Sequence, residues 1–114
     1  MKAEDYKRLI SERDVFDKTT LNVTLKEVYS KHEFELVKEI QRILENNQIL
    51  KPELHTKPYD ETTNYYKVDI TSDQVEKIID IFFELEASYI GENGETTPTA
   101  AFYAGLADKW NQLV

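Results

Sequence analysis

The stretch TTLNVTLKEVYS, Thr19 to Ser30, can be read with two periods. Leu21, Val23 and Leu25 alternate as in a half-buried strand, whereas Leu21, Thr24, Leu25 and Val28 fall on one face of a helix. Periodicity leaves both readings open, and the fold class turns on them. If Leu21 to Leu25 pairs with an extended Tyr65 to Ile70 against the helices, the chain is α+β with a small sheet. Otherwise it is a mainly α, single-domain helical bundle with a short extended segment near 65–70, and that is the fold expected here.

The flanking sequence favours helices. Lys2 to Glu12 carries Tyr6, Leu9 and Ile10 at helical spacing and predicts a short amphipathic helix. Ser30-Lys31-His32-Glu33 reads as a capping box that opens a helix, with the Ser30 hydroxyl and the Glu33 carboxylate exchanging backbone N–H bonds. Phe34, Val37, Ile40 and Leu44, with Leu36 and Ile43 beside them, form a wide apolar stripe, and Asn46-Asn47 marks its stop. Residues 48–64, with two prolines, read as loop, with Ile49, Leu50 and Leu54 as its apolar residues available to the core. Tyr66, Val68 and Ile70 then alternate with Tyr65, Lys67 and Asp69, the pattern of a short half-buried strand.

A third helix is announced by Thr71 or Ser72 as cap with Gln74 following. Val75, Ile78, Ile79, Phe82, Leu85 and Tyr89 run down one side before Gly91 ends it. Ile81 and Phe83 lie off that stripe. After the loop GENGETTP, Thr97 as N-cap and Pro98 at the first helical position open a last helix whose Phe102, Leu106, Trp110 and Leu113 point one way, towards the core.

Length and composition bound the rest. A chain of 114 residues suits one domain, 1–114, and its balance of 40% apolar and 32% charged residues is that of a folded globular protein. There is no cysteine, which excludes disulfides, thiolate metal sites and cysteine catalysis. The charged N-terminus lacks the apolar core of a signal peptide and no run approaches transmembrane length, so a cytoplasmic location is expected. Of the net charge of −8, none arises in Met1 to Lys57, with 11 basic and 11 acidic residues. Pro58 to Val114 holds 3 and 11. Such a field repels nucleic-acid phosphates and anionic lipid and attracts basic surfaces. The plainer reading of the same excess is solubility.

Catalysis finds little material. His32 sits in the first turn of the helix opened by Ser30 and His55 in a proline-flanked loop, neither in a recognisable motif. Glu84 and Glu86 project from different sides of their helix, and Asp80 with Glu84, one turn apart, reads as a solvated face before it reads as a cation site. No catalytic residue, metal site or cofactor is expected. A different kind of site is suggested by KPYDETTNYYKVDITSD, Lys57 to Asp73, which gathers three tyrosines among four acidic residues. Tyrosine supplies stiff contact area with a polar tip, and carboxylates supply steering towards a basic partner. Tyr59, Asp60, Glu61, Tyr65 and Asp69 are therefore the candidate partner-binding residues. Tyr66 is set apart as core.

EFELVKEI at Glu33 to Ile40, the Tyr65-Tyr66 pair and TPTAAFYAGLADKW at Thr97 to Trp110 resemble pieces of the colicin and pyocin nuclease immunity proteins, small acidic helical inhibitors of bacterial toxins. In that family the paired tyrosines follow the second long helix, whereas here they precede the helix beginning near Asp73, and this chain has an additional N-terminal segment. The resemblance implies that Tyr65 and Tyr66 supply aromatic contacts while nearby acids face a basic toxin. The function expected is thus an acidic cytoplasmic interaction protein that neutralises a basic protein partner, most concretely a toxin immunity protein. The alternatives are a small histidine/carboxylate enzyme, or an oligomerisation module using Ile81 and Phe83.

Overall fold

The computed structural model describes residues 3–50 and 64–114. In it the ambiguous stretch is helical. The Asp17 carboxylate accepts the N–H of Thr20 at 2.9 Å, a side-chain N-cap that starts the helix at Lys18. Thr20, Leu21, Thr24 and Val28 then form the buried face, while Val23 and Leu25, the residues that suggested a strand, are only partly buried.

The order of elements is α1 (Ala3–Ile10), β1 (Val15–Asp17), α2 (Lys18–Ser30), α3 (Phe34–Asn46), β2 (Tyr65–Lys67), α4 (Ser72–Ser88) and α5 (Pro98–Asn111). The fold is mainly α. Its small antiparallel sheet is made by the residues just before the disputed stretch, with Val15 opposite Lys67, Phe16 opposite Tyr66 and Asp17 opposite Tyr65. On the other side of β2, Ile49 donates its N–H to the Tyr65 carbonyl at 2.8 Å and Lys67 donates to that of Asn47 at 3.0 Å, so both edges of the central strand are engaged.

The capping box expected at Ser30 does not form. Ser30 is the last residue of α2, and Glu33 precedes α3 without a side-chain cap bond. The Glu33 N–H turns back to the Val28 carbonyl, the His32 N–H bonds that of Tyr29, and His32 takes φ 60°. This is a Schellman ending, with the left-handed position that usually belongs to glycine held by histidine. Ser-x-x-Glu therefore closes one helix here, and the next begins directly after it. By contrast, the reciprocal bonds between Thr71 and Gln74 that open α4 are both present, and Thr97 caps α5 through the Ala100 N–H with Pro98 at its start.

The main core joins Phe16, Leu21, Val28, the Leu36–Ile43 face of α3, Tyr66, Val68, the apolar face of α4, and Leu106, Ala107 and Trp110 of α5. Phe16 meets Trp110 edge-on at 4.7 Å between centroids. A smaller cluster of Tyr6, Val15 and Ile49, with Leu9, Ile10 and Tyr65 against it, fastens α1 to the sheet. Four expectations about the core are corrected. Phe34 and Tyr89, at helix ends, and Phe102, in the first half of α5, lie on apolar stripes but are exposed, and Leu50 is exposed rather than tucked in, while Leu54 lies outside the described residues. Ile81, off the α4 stripe, is buried, so that helix is covered on more than one side.

Candidate functional site

Of the five candidate partner-binding residues, Tyr59, Asp60 and Glu61 lie outside the described residues. Tyr65 is half-buried, its ring against the small cluster beneath β2, and Asp69 is exposed at the strand's far end. Asp69 does not stand alone. Arg42 on α3 grips both its carboxylate oxygens, at 2.8 and 3.2 Å, while the same guanidinium reaches Glu39 at 2.7 Å. The hydrogen bonds from Arg42, partly opposed by burial, hold the Asp69 carboxyl below its ordinary range, and the two carboxylates raise the Arg42 pKa. Tyr65 thus lies in β2 and Asp69 two residues past its end, but the charge of Asp69 is already answered from within the chain.

The same exchange of partners recurs between the two halves. Lys67 is held by Asp14 at 2.7 Å and Glu12 at 3.2 Å, which raises its pKa, and Lys109 lies 3.8 Å from Asp17. Lys31, the C-cap of α2, pairs with Glu84 at 3.3 Å, so Glu84 is not available to share a cation with Asp80. What is left of the acidic half is a concentrated field. Asp73, Glu76, Asp80, Glu86, Glu92, Glu95 and Asp108 have no cation partner among the described residues, and from Asn64 onward Lys77 is the one basic side chain not drawn into such a pair.

Geometry concentrates these charges. Asp73, Glu76, Asp80 and Phe83 recur at three- and four-residue spacing on the exposed side of α4, which places an exposed ring one turn beyond a row of carboxylates. The end of the same helix carries a second aromatic group. Tyr103 on α5 stacks against Phe82 at 6.1 Å and Tyr89 at 5.7 Å, and Phe102 tilts against it at 5.5 Å. The rings make a ladder from the core, at buried Phe82, to the surface, at Tyr89 and Phe102.

The turn beside the ladder is ordered by its own bonds. The Thr97 hydroxyl donates to the Tyr89 carbonyl at 2.6 Å while capping α5, and the Gly91 N–H donates to the Glu95 carbonyl at 2.8 Å. A Cβ at Gly91 would come within 2.6 Å of the exposed Glu95 side chain, which would have to shift to admit it. The α2–α3 turn presents a third exposed aromatic group, in which Phe34 meets Tyr29 at 6.0 Å and His32 at 5.8 Å. His32 is thus a helix-ending residue beside the Phe34 ring, and His55 lies outside the described residues.

Sequence reading did not single out the Tyr89–Phe102–Tyr103 group. Tyr89 and Phe102 lie on apolar stripes that look like core, Tyr103 lies on neither stripe, and only the packing of α4 on α5 decides which of these rings remain uncovered. Comparison with protein-family models, with curated proteins and with solved structures finds no match for this chain. Among the described residues, no helix is long and apolar enough to cross a membrane.

Proposed function

We propose that this is a cytoplasmic interaction protein that binds and neutralises a basic protein partner, in its most concrete form an immunity protein that occludes a bacterial toxin, with a nuclease as the favoured kind of toxin. One observation carries the reading. Apart from Glu84, the carboxylates of α4 and the following loop have no cation partner among the described residues, in a surface that also exposes large rings, and from Asn64 onward Lys77 is the one described basic side chain outside an ion pair. Carboxylates left in that state accelerate encounter with a basic surface, tenfold to about a thousandfold in favourable cases. Exposed aromatic rings among them supply the short-range contact that steering lacks. An inhibitor of this kind needs no chemistry of its own, since covering a basic active site is sufficient.

The test is the product of the neighbouring open reading frame, because an immunity gene normally lies directly downstream of its toxin. Mixed with this protein, that product should form a stoichiometric complex and lose its toxicity, and the association rate should fall steeply as salt is added. A neighbouring product that is neither basic nor bound at low salt overturns the toxin form of the proposal.

A further inference from the structure

We infer that the end of the α4–α5 hairpin is the specific seat of the basic partner, and that it takes an arginine side chain laid on the ring ladder of Tyr89, Tyr103 and Phe102. This rests on the reading of the protein as a binder of basic partners and gives that binding a place and a residue type.

The inference stands on ring geometry and on charge. Tyr89 and Tyr103 are 30° from parallel with centroids 5.7 Å apart, and Phe102 lies 5.5 Å from Tyr103 at 53°. Tyr89 and Phe102 are 46% and 44% exposed, so ring surface remains open to a ligand after the rings have packed on one another. No cation of the described residues occupies these faces, although the chain does place Lys109 over a ring elsewhere, 5.4 Å from the Phe16 centroid.

The surroundings are anionic. Glu86 follows Phe82 by one turn and precedes Tyr89 by one turn on the same side of α4. Burial raises the Tyr103 pKa, and the charge of Glu27 on α2 adds to that rise. Glu92 and Glu95 stand in the turn. Neither Glu86 nor Glu27 has a cation partner among the described residues.

Arginine answers this arrangement better than lysine. Its guanidinium is flat and weakly hydrated, stacks on aromatic faces, and keeps its in-plane N–H donors free for carboxylates at the rim. Lysine offers a compact, strongly hydrated charge that gains from the field but not from the stacking. The turn is held by the Thr97–Tyr89 bond, so little ordering is needed when the side chain arrives.

The experiment uses the full chain, isotopically labelled, titrated at low salt with two unstructured peptides of equal length and charge, one carrying arginines and the other lysines. The arginine peptide should bind more tightly and shift the resonances of Tyr89, Gly91, Phe102 and Tyr103. Tyr89→Leu with Phe102→Leu keeps apolar volume but removes the ring faces. It should weaken the arginine peptide by roughly tenfold and leave the lysine peptide almost unchanged. Both positions are exposed, and an unchanged melting temperature verifies the fold; Glu86→Gln provides a second variant that spares the rings and should weaken both peptides. Salt-sensitive binding that is equal for the two peptides, or that survives the double replacement, overturns this seat while leaving the basic-partner reading intact. Failure of both peptides to bind even at low salt overturns the seat and the basic-partner reading together.

Discussion

The indole N–H of Trp110 donates to the hydroxyl of Thr24 at 3.1 Å, and neither residue has any exposed surface. Thr24 in turn donates to the Thr20 carbonyl at 2.8 Å, so one hydroxyl ties the last helix to α2 and satisfies the most buried polar group of the core. Thr24→Val keeps the shape and removes the acceptor. It should cost about 1–3 kcal/mol, the penalty of a buried donor left without a partner. In a Trp110→Phe background, where no donor remains, the same replacement should be close to neutral. Urea unfolding of the four proteins measures the difference, and equal costs in the two backgrounds would show that the bond contributes nothing.

His32 holds φ 60° at the close of α2, where a side chain crowds its own backbone. Replacement by glycine should stabilise the protein by up to about 1 kcal/mol, with the gain trimmed by the greater freedom of glycine in the unfolded chain and by loss of the ring contact with Phe34. His32→Ala should give no gain, because alanine retains the Cβ. A lower urea midpoint for the glycine variant would contradict the Schellman account.

This turn also shows where sequence reasoning reached its limit. Ser30 and Glu33 have the spacing of a capping box, but so does any helix end with these residues, and only the positive φ at His32 distinguishes a stop from a start. Thr71 with Gln74 and Thr97 with Pro98 were legible because each is followed by an apolar stripe and preceded by chain that cannot be helical. The sheet was half legible. Tyr65 to Ile70 shows its alternation, whereas Val15 to Asp17 is too short for a period and forms because a distant strand offers partners. In the same way, the stripes that contain Tyr89 and Phe102 indicate a face but not where its cover ends, so the ring ladder was not visible in the sequence, while the acidic imbalance around it was.

Acid should weaken the fold through Asp17 and Asp69. Burial tends to raise the Asp17 pKa, but the hydrogen bonds from Thr20 and the charge of Lys109 outweigh it, and the result lies below the ordinary 3.8. The Arg42 bonds lower that of Asp69. A carboxyl depressed in the folded state contributes stability above its unfolded pKa, and that contribution fades as pH falls through the folded value. The melting temperature should therefore drop on acidification below about pH 4, and Asp17→Asn, which retains a capping side chain, should flatten part of that drop. Asp17→Ala should cost about 1 kcal/mol near neutral pH through loss of the cap. An Asp17→Asn profile parallel to that of the parent protein would remove Asp17 from the account.

The pairing pattern predicts which carboxylates steer a basic partner. Glu76 and Asp80 stand on the exposed row of α4 without a cation, whereas Asp69 and Glu84 are held by Arg42 and Lys31. Neutralising the first pair removes free negative charge from the approach surface. Neutralising the second pair removes the same amount of negative charge, but also frees Lys31 and leaves Arg42 with Glu39 as its one partner, so that both cations repel the incoming basic segment more strongly. Net charge alone would rank the pairs equally, and a field set by proximity would rank the released cations by where the partner lands. If it lands at the Tyr89–Tyr103 ladder, Lys31 is the nearer cation in the chain, because its partner Glu84 lies just over one helical turn from Tyr89. Glu84→Gln should then slow association with the arginine peptide at least as much as Glu76→Gln, whereas Asp69→Asn, near the opposite end of α4, should have the smallest effect. Stopped-flow rates over a range of salt concentrations measure these differences, which should shrink as the salt screens them. Asp69→Asn with the largest effect would place the encounter at the β2 edge, beside Tyr65, and away from the helical hairpin.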